Sequence, residues 1–333
     1  MQSKILNTRS MMAPQDTYVL RGIAMLMIIV HHGLKHAPYA PDAIRGLWGD
    51  MGTAVFFFIS GFGLCCSMSK RDYVDFTYLW QNTKKLIIPY LIVWFFTEIV
   101  FNILYPSYGI RNTLRDVITL SYPSFESVNL WFIKVIVISY IVSILTFIII
   151  RNRLLRVSFV TVICMVYIYI AWKVLRLPQY WFGSFICFPA GMWLSAYKEE
   201  LKGVLSHKII IAILSLVLYV VFLKYDFLPT LACFKYSIMF CLLFVSLGSI
   251  VNIQSKPLYF IGKNSLLFYL IHIALLFLLS ESKFLSKQYM LTLGIILVGT
   301  IALVYLYVKI QTLIQQTRYA KKKEDSHIKF SDR

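Results

Sequence analysis

Apolar stretches of about 20 residues recur along the whole chain, and this feature limits the fold more than any other. A helix of about 20 apolar residues crosses the roughly 30 Å hydrocarbon core of a bilayer. Of the 333 residues, 59% are hydrophobic and 14% are charged. A water-soluble domain carries about 25% charged residues, so this chain has too little polar surface for water. The pattern predicts an all-α, polytopic membrane protein.

We predict about ten transmembrane helices and no soluble domain, because the loops between the apolar stretches are short. The membrane domain is predicted over residues 17–310, after an N-terminal cytoplasmic segment (1–16) and before a basic cytoplasmic tail (311–333). No internal repeat is visible, which argues against a transporter built from inverted halves. The predicted spans are 17–36, 48–68, 86–105, 129–150, 155–172, 180–197, 208–223, 230–251, 264–280 and 290–310.

The net charge of +18 predicts membrane orientation rather than nucleic-acid binding. Lys and Arg collect in the loops that stay cytoplasmic, where they also meet anionic headgroups. With ten spans and a cytoplasmic start, the inside segments hold 22 of these residues and the outside loops hold 9. Both termini are therefore predicted to be cytoplasmic.

The six cysteines all lie in apolar runs, and none shows a metal-like spacing with histidine. Buried cysteines behave as small apolar side chains. We therefore expect no metal site and draw no conclusion about redox compartment.

The first span carries Arg21 and His32 in the run LRGIAMLMIIVHH. Eleven helical steps make three turns plus about 20°, so the two side chains share one helix face about 16 Å apart along the axis. His31 points about 80° away from that face. Because ionisable groups at membrane depth are costly, an arginine in register with a histidine is a candidate functional pair.

Two further segments carry candidates. In the second span, Ser60 and Gly61, with Gly63 after them, allow close approach of a neighbouring helix or a ligand. Lys84 and Lys85 end the following loop in the run TKKLIIPY. These cations could hold phosphates, or they could be ordinary positive charges of a cytoplasmic loop.

The ninth span adds Tyr269 and His272, which are three residues apart and therefore neighbours on one helix face. A polar pair at this depth must find partners inside the bundle. Glu98, Lys134 and Lys235 are further ionisable residues within spans, but no spacing connects them to a mechanism.

Six motifs in order give the chain a resemblance to a known family. They are R-x10-H in helix one, FFxISGF in helix two, KLIIPY in helix three, NLWF in helix four, FPAGM before Lys198, and SLxxYLIH in helix nine. In this order they resemble the acyltransferase family 3 membrane proteins. The resemblance covers about residues 17–310.

The resemblance implies ten membrane helices and an acyl-CoA donor, usually acetyl-CoA. It implies transfer of the acyl group to a hydroxyl of a surface polysaccharide, such as lipopolysaccharide or capsule, or of a lipid-linked glycan precursor. A location in the inner or plasma membrane of a bacterium follows from this role. The family's signature active-site element falls on Arg21 and His32. No tightly bound cofactor is expected.

The sequence departs from the family pattern at two places. Many members carry Arg-x-x-Arg before the third helix, where this chain has Asn82 and Lys85. A histidine that many members carry before the Leu-Trp-Phe of helix four is Asn129 here. We therefore expect no proton transfer at that position. The additional esterase-like domain of some members is not expected.

Acyl transfer from a thioester to an alcohol requires removal of the hydroxyl proton. A neutral histidine suits this task near pH 7, so His32 is the expected general base, with a transient acyl-histidine as an alternative. Arg21 is better placed for the anionic part of CoA. The remaining expected site residues are the donor-binding Lys84, Lys85 and Arg71 and the site-lining Ser60, Tyr269 and His272.

Two other function classes remain open on sequence alone. A transporter or flippase for a glycan or small solute would have the same composition. It would need acidic coupling residues near the bilayer midplane, and Glu98 is the only acid well inside a predicted span. A scaffold protein would leave the Arg21 and His32 register unexplained.

Overall fold

The protein was analysed as a computed structural model that describes residues 12, 14–35, 48–104, 131–224, 232–251, 253–280 and 289–331. Within these ranges the chain forms helices and turns and no strand. The predicted all-α class is therefore confirmed. The helices are α1 (Pro14–Lys35), α2 (Trp48–Ser69), α3 (Phe76–Leu104), α4 (Trp131–Ile149), α5 (Arg153–Tyr169), α6 (Cys187–Ala196), α7 (Lys202–Ser206), α8 (Lys208–Lys224), α9 (Ala232–Ile250), α10 (Lys256–Lys263), α11 (Ser265–Ser280) and α12 (Tyr289–Ser331).

Six of these helices are long and apolar enough to cross a bilayer, namely α1 to α5 and α12. The bent pair α10–α11 makes a seventh if it is counted as one span, and α8 and α9 contain shorter apolar segments. α6 has only ten residues. The membrane class is thus confirmed, while the number of ten spans stays a prediction.

α3 begins ten residues before the predicted third span. The side chain of Asp75 caps it, because its Oδ1 accepts a hydrogen bond of 2.7 Å from the backbone N–H of Tyr78. The polar run WQNTKK had indicated a loop, but it belongs to the first turns of this helix. Lys84 and Lys85 therefore lie on a helix and not in a loop.

α4 and α5 separate where the sequence predicted a break. Asn152 caps α5, since its side-chain oxygen accepts from the backbone N–H of Leu155 at 3.0 Å. Arg156 donates from Nε to the carbonyl of Ile150 at the same corner. These hydrogen bonds satisfy a backbone N–H at the start of α5 and a backbone carbonyl just after α4, which would otherwise have no partner in their helices.

α10 and α11 meet at a bend of 80°. Ser255 caps α10 through the backbone N–H of Leu258, at 3.3 Å, and Asn264 lies between the two helices. The predicted ninth span is therefore α11, and α10 turns away from it. This bend determines where the histidine of α11 lies relative to α1.

α2 is the most enclosed of the six long helices, since 83% of the residues in its most apolar stretch are buried inside the bundle. It packs chiefly against α6 and α1. Gly61 of α2 faces the carbonyl of Phe188, and Gly191 of α6 faces the carbonyl of Phe58, so that a side chain at either glycine would collide with the opposite backbone. The predicted role of Gly61 in close helix packing is therefore confirmed, whereas Gly63 meets open space.

α1 and α10 are joined in the same reciprocal way. Gly22 of α1 lies against the carbonyl of Leu258, and Gly262 of α10 lies against the carbonyl of Tyr18. Small residues at such positions let two helix backbones come together without loss of packing. These contacts position the helix that carries Arg21.

The outer helices expose apolar side chains, as expected of surfaces that face lipid. In α12, only 17% of the residues in the most apolar stretch are buried inside the bundle. Phe96 on α3, Val162 on α5 and Ile213 on α8 are all more than half exposed.

Candidate active site

A pair of histidines joins α1 to α11. His32 Nδ1 lies 2.9 Å from His272 Nε2, and the two imidazoles are nearly parallel, with ring centroids 5.2 Å apart. His272 is fully buried, whereas His32 is half-buried. One partner is thus enclosed and the other is partly accessible.

Tyr269 and His272 lie side by side, as their spacing predicted, with ring centroids 5.6 Å apart. The Tyr269 ring also contacts Phe132 of α4, at 5.3 Å between centroids. The second nitrogen of His272, Nδ1, lies 2.9 Å from the backbone carbonyl of Phe268 one turn earlier. Both residues are buried, and these contacts hold their rings in place.

His31 has a different environment from His32. Its ring lies against Gly49 of α2, where an added methyl group would overlap the imidazole. The centroids of the two adjacent imidazoles are 5.5 Å apart. The helical angle between the two positions thus sends His31 toward α2 and His32 toward α11.

Arg21 lies three turns before His32 on α1 and belongs to a second polar group. Its Nε atom is buried and has no hydrogen-bond partner within the described residues. The hydroxyl of Tyr140 on α4 interacts with Ser60 of α2 through a hydrogen bond and with Arg21 only through the charge of the guanidinium. Arg21 and Ser60 thus both lie near a tyrosine that the sequence did not indicate.

Tyr140 also interacts with Tyr78, near the start of α3. Tyr78 donates from its hydroxyl to Ser67 at 2.9 Å, and the guanidinium of Arg71 lies over its ring at 4.6 Å from the centroid. Arg71 thus packs on a tyrosine that is itself within electrostatic range of Tyr140. A tyrosine within an apolar span is the signal that would have found Tyr140 from sequence.

Lys84 and Lys85 do not share the enclosed face of α3. Lys84 is half-buried and Lys85 is exposed, while that face is formed by residues such as Thr83, Tyr90 and Trp94. Among the contacts of the described residues, none joins these lysines to the arginine on α1.

No group of three histidine, cysteine or acidic side chains suited to a metal occurs within the described residues. A depression of about 490 Å3 lies between the first turns of α1 and α10, and Asp16, Lys256 and Tyr259 are among its lining residues. It contains neither Arg21 nor His32. We therefore locate the candidate site by its side chains and not by this depression.

An all-helical bundle whose outer helices expose apolar faces is typical of an integral membrane protein. Residues 18–309 match the family model of an acyltransferase domain, that of acyltransferase family 3. No curated protein and no solved structure matches the chain. The matched region runs from α1 into α12 and includes both polar groups. The chain belongs to acyltransferase family 3 and is a membrane acyltransferase.

Proposed function

We propose that this protein transfers an acetyl group from acetyl-CoA to a hydroxyl of a surface polysaccharide or lipid-linked glycan, with His32 as the general base. The observation that carries the proposal is the placement of Arg21 and His32 three turns apart on one helix, each within its own polar group. The polar group around Arg21 suits the anionic end of the donor, and the histidine pair that includes His32 suits its reacting end.

Arg21 supports binding of the donor phosphates. Its buried Nε donor lacks a hydrogen-bond acceptor within the described structure, and buried donors in proteins are nearly always paired. The guanidinium binds phosphate oxygens through two parallel hydrogen bonds. Arg71 packs over Tyr78, which lies within electrostatic range of Tyr140. We propose that Lys84 and Lys85 add positive charge along the approach.

The distance along α1 supports placing the thioester at His32. Arg21 and His32 are separated by about 16 Å along the helix axis, and the extended pantetheine arm of CoA is comparable in length. A donor held by its diphosphate at Arg21 would therefore bring its thioester carbonyl to the histidine pair. Ser60, Tyr269 and His272 would line the path and the reacting end.

The proposed reaction is a direct transfer. The acceptor hydroxyl gives its proton to the basic nitrogen of His32 as its oxygen attacks the thioester carbonyl. A C–O bond forms and the C–S bond breaks, and the CoA thiolate then takes the proton from His32. Atoms and charges balance without a metal or a further reactant.

The loop charges support an orientation that matches this path. With the N-terminus of α1 in the cytoplasm, Arg21 lies toward the compartment that contains acetyl-CoA. His32 then lies toward the opposite face, where surface glycans are found. We propose that the protein resides in the inner or plasma membrane of a bacterium, with ten spans and both termini cytoplasmic.

The experiment uses the full chain reconstituted in lipid vesicles with acetyl-CoA labelled in its acetyl group. Membranes from cells that lack the protein serve as the source of acceptor. We expect release of CoA thiol and appearance of label as an alkali-labile ester on glycan, both dependent on acceptor. Movement of glycan across the vesicle membrane without thioester cleavage would instead identify a flippase and overturn the proposal.

A further inference from the structure

We propose that His272 is a positioning residue that holds His32 in the tautomer with the proton on Nδ1. The basic lone pair that acts in acyl transfer is then on Nε2 of His32. This inference rests on the proposed role of His32 as the general base, and it assigns a specific function to a residue that the sequence indicated only as part of the site lining.

The hydrogen-bond chain that begins at His32 ends at the backbone carbonyl of Phe268. His272 Nδ1 lies 2.9 Å from the carbonyl oxygen of Phe268. A backbone carbonyl can only accept a hydrogen bond. His272 therefore carries a proton on Nδ1, and this nitrogen donates to the carbonyl.

The other ring nitrogen of His272, Nε2, faces His32. His272 is fully buried, and a charged side chain in such a place is costly without a charged partner. The ring is therefore neutral, and a neutral imidazole with a proton on Nδ1 has a lone pair on Nε2. This atom can only accept a hydrogen bond.

The accepting nitrogen of His272 determines which nitrogen of His32 carries the proton. Its Nδ1 lies 2.9 Å from the accepting Nε2 of His272, so Nδ1 of His32 must be the donor. A neutral His32 then has its lone pair on Nε2. A chain of two hydrogen bonds, ending at a helix carbonyl, thus selects which nitrogen of His32 is basic.

The surroundings hold this arrangement in place. The two rings are within 10° of parallel, and Tyr269 packs edge-on against His272. α10 packs against α1, and α11 follows it after a bend of 80° and also contacts α1. Two further titratable side chains of the described residues, His31 on α1 and Tyr269 on α11, are in ring contact with the pair.

The same hydrogen bond also assists the reaction. When His32 takes the acceptor proton, it becomes a cation that still donates from Nδ1 to His272. Hydrogen bonds from charged donors are shorter and stronger than those from neutral donors. Catalytic bases are commonly oriented by a third group in this way.

The test compares two substitutions of similar size. In His272→Gln the amide oxygen can still accept from His32, whereas His272→Met removes a strong acceptor and keeps an apolar volume. We expect His272→Met to lower kcat by about tenfold to a hundredfold, the range typical of lost orienting partners. The KM for acetyl-CoA should stay unchanged because Arg21 is remote. His272→Gln should restore most of the lost rate.

A spectroscopic measurement gives a readout that a merely structural role would not change. Nitrogen-15 spectra of histidine-labelled protein distinguish the two tautomers, and the signals of His32 are identified by their loss in His32→Ala. We expect the proton on Nδ1 in the wild type and a mixture of tautomers in His272→Met. The wild-type tautomer is read without His272→Met, so poor folding of that variant does not prevent the test.

The outcomes separate this inference from the proposed function. A proton on Nε2 of wild-type His32, or an unchanged kcat and pH profile in His272→Met, would overturn the role of His272 while acyl transfer stands. Wild-type transfer by His32→Ala would instead refute the function proposed for His32 itself.

Discussion

The two adjacent histidines of α1 contact different helices, and this separates their chemistry. His32 meets the buried His272 of α11, while His31 packs against Gly49 of α2. Arg21 shares the helix face of His32 and interacts with Tyr140. At the scale of single residues, the helix angle and the neighbouring helix together decide which imidazole can take part in acyl transfer.

Alanine substitutions of the two histidines should therefore differ strongly. We expect His32→Ala to lower acyl transfer by about 10²–10⁴-fold, the usual contribution of a general base, with insertion and abundance unchanged. His31→Ala should have a much milder effect, although it removes the same volume from the next position. Arg21→Ala should also be severe, through weaker donor binding. The measurement is glycan acetylation per amount of protein in the membrane, and a loss of activity in His31→Ala alone would contradict the assignment.

The lysine pair on α3 allows a test of donor binding. We expect the double substitution of Lys84 and Lys85 by alanine to raise the apparent KM for acetyl-CoA by about two- to thirtyfold, because accessible charges of this kind contribute about 0.2–1 kcal/mol each. The kcat should not change, because phosphate contacts supply equal binding to substrate and transition state. Lys202→Ala, an exposed lysine elsewhere, is the control. An unaltered KM would leave these lysines with a role in membrane orientation only.

At the scale of elements, the bundle depends on helices that approach backbone to backbone. α2 with α6, and α1 with α10, are each joined by two glycines that face opposing carbonyls. Such contacts bring α2 with its Ser60, and α1 with its Arg21, to fixed positions around the interior. A helix moved outward by even one methyl group would change the spacing of the polar groups it carries.

A pair of glycine substitutions tests this packing. Gly61→Ala should destabilise the protein by about 1–3 kcal/mol or more, because the added methyl group meets the backbone of α6 and cannot be accommodated by a side-chain shift. Gly63→Ala is the matched control, two residues further on the same helix, where the new methyl group meets open space. The melting temperature in detergent is the measurement. Equal melting temperatures for the two variants would show that this contact does not limit stability.

At the scale of the whole molecule, apolar faces point outward and polar groups lie inside. Most residues in the apolar stretch of α12 lie on the outside of the bundle, whereas most of those in α2 are enclosed. This distribution suits a bilayer, which needs apolar side chains on the outside and satisfied polar groups within. We expect the excess of Lys and Arg in alternate predicted loops to determine the orientation of the bundle in the membrane.

Reporter fusions test this orientation. A reporter at residue 333 should lie in the cytoplasm, and one in the loop 106–128, which falls outside the described residues, should lie on the other side. The reason is the ratio of 22 to 9 in Lys and Arg between the two sets of loops. Fusions that report the same compartment would show that the number of spans between them is wrong.

The sequence alone determined the membrane class, the shared face of Arg21 and His32, and the break at Asn152. These properties follow from local composition and helical periodicity, which act over a few turns. The early start of α3 was missed because the capping interaction of Asp75 outweighs the polar character of the segment after it. Position 129, where the sequence carries a family departure, lies outside the described residues.

Only the tertiary structure decided which polar groups meet. His32 and His272 are 240 residues apart in sequence, and Tyr140 of a third helix bonds to Ser60 and lies within electrostatic range of Arg21. Periodicity indicates which face of a helix is buried but not which helix covers it. That choice depends on the reciprocal glycine contacts and on the bend before α11, both of which require distant segments to be packed together.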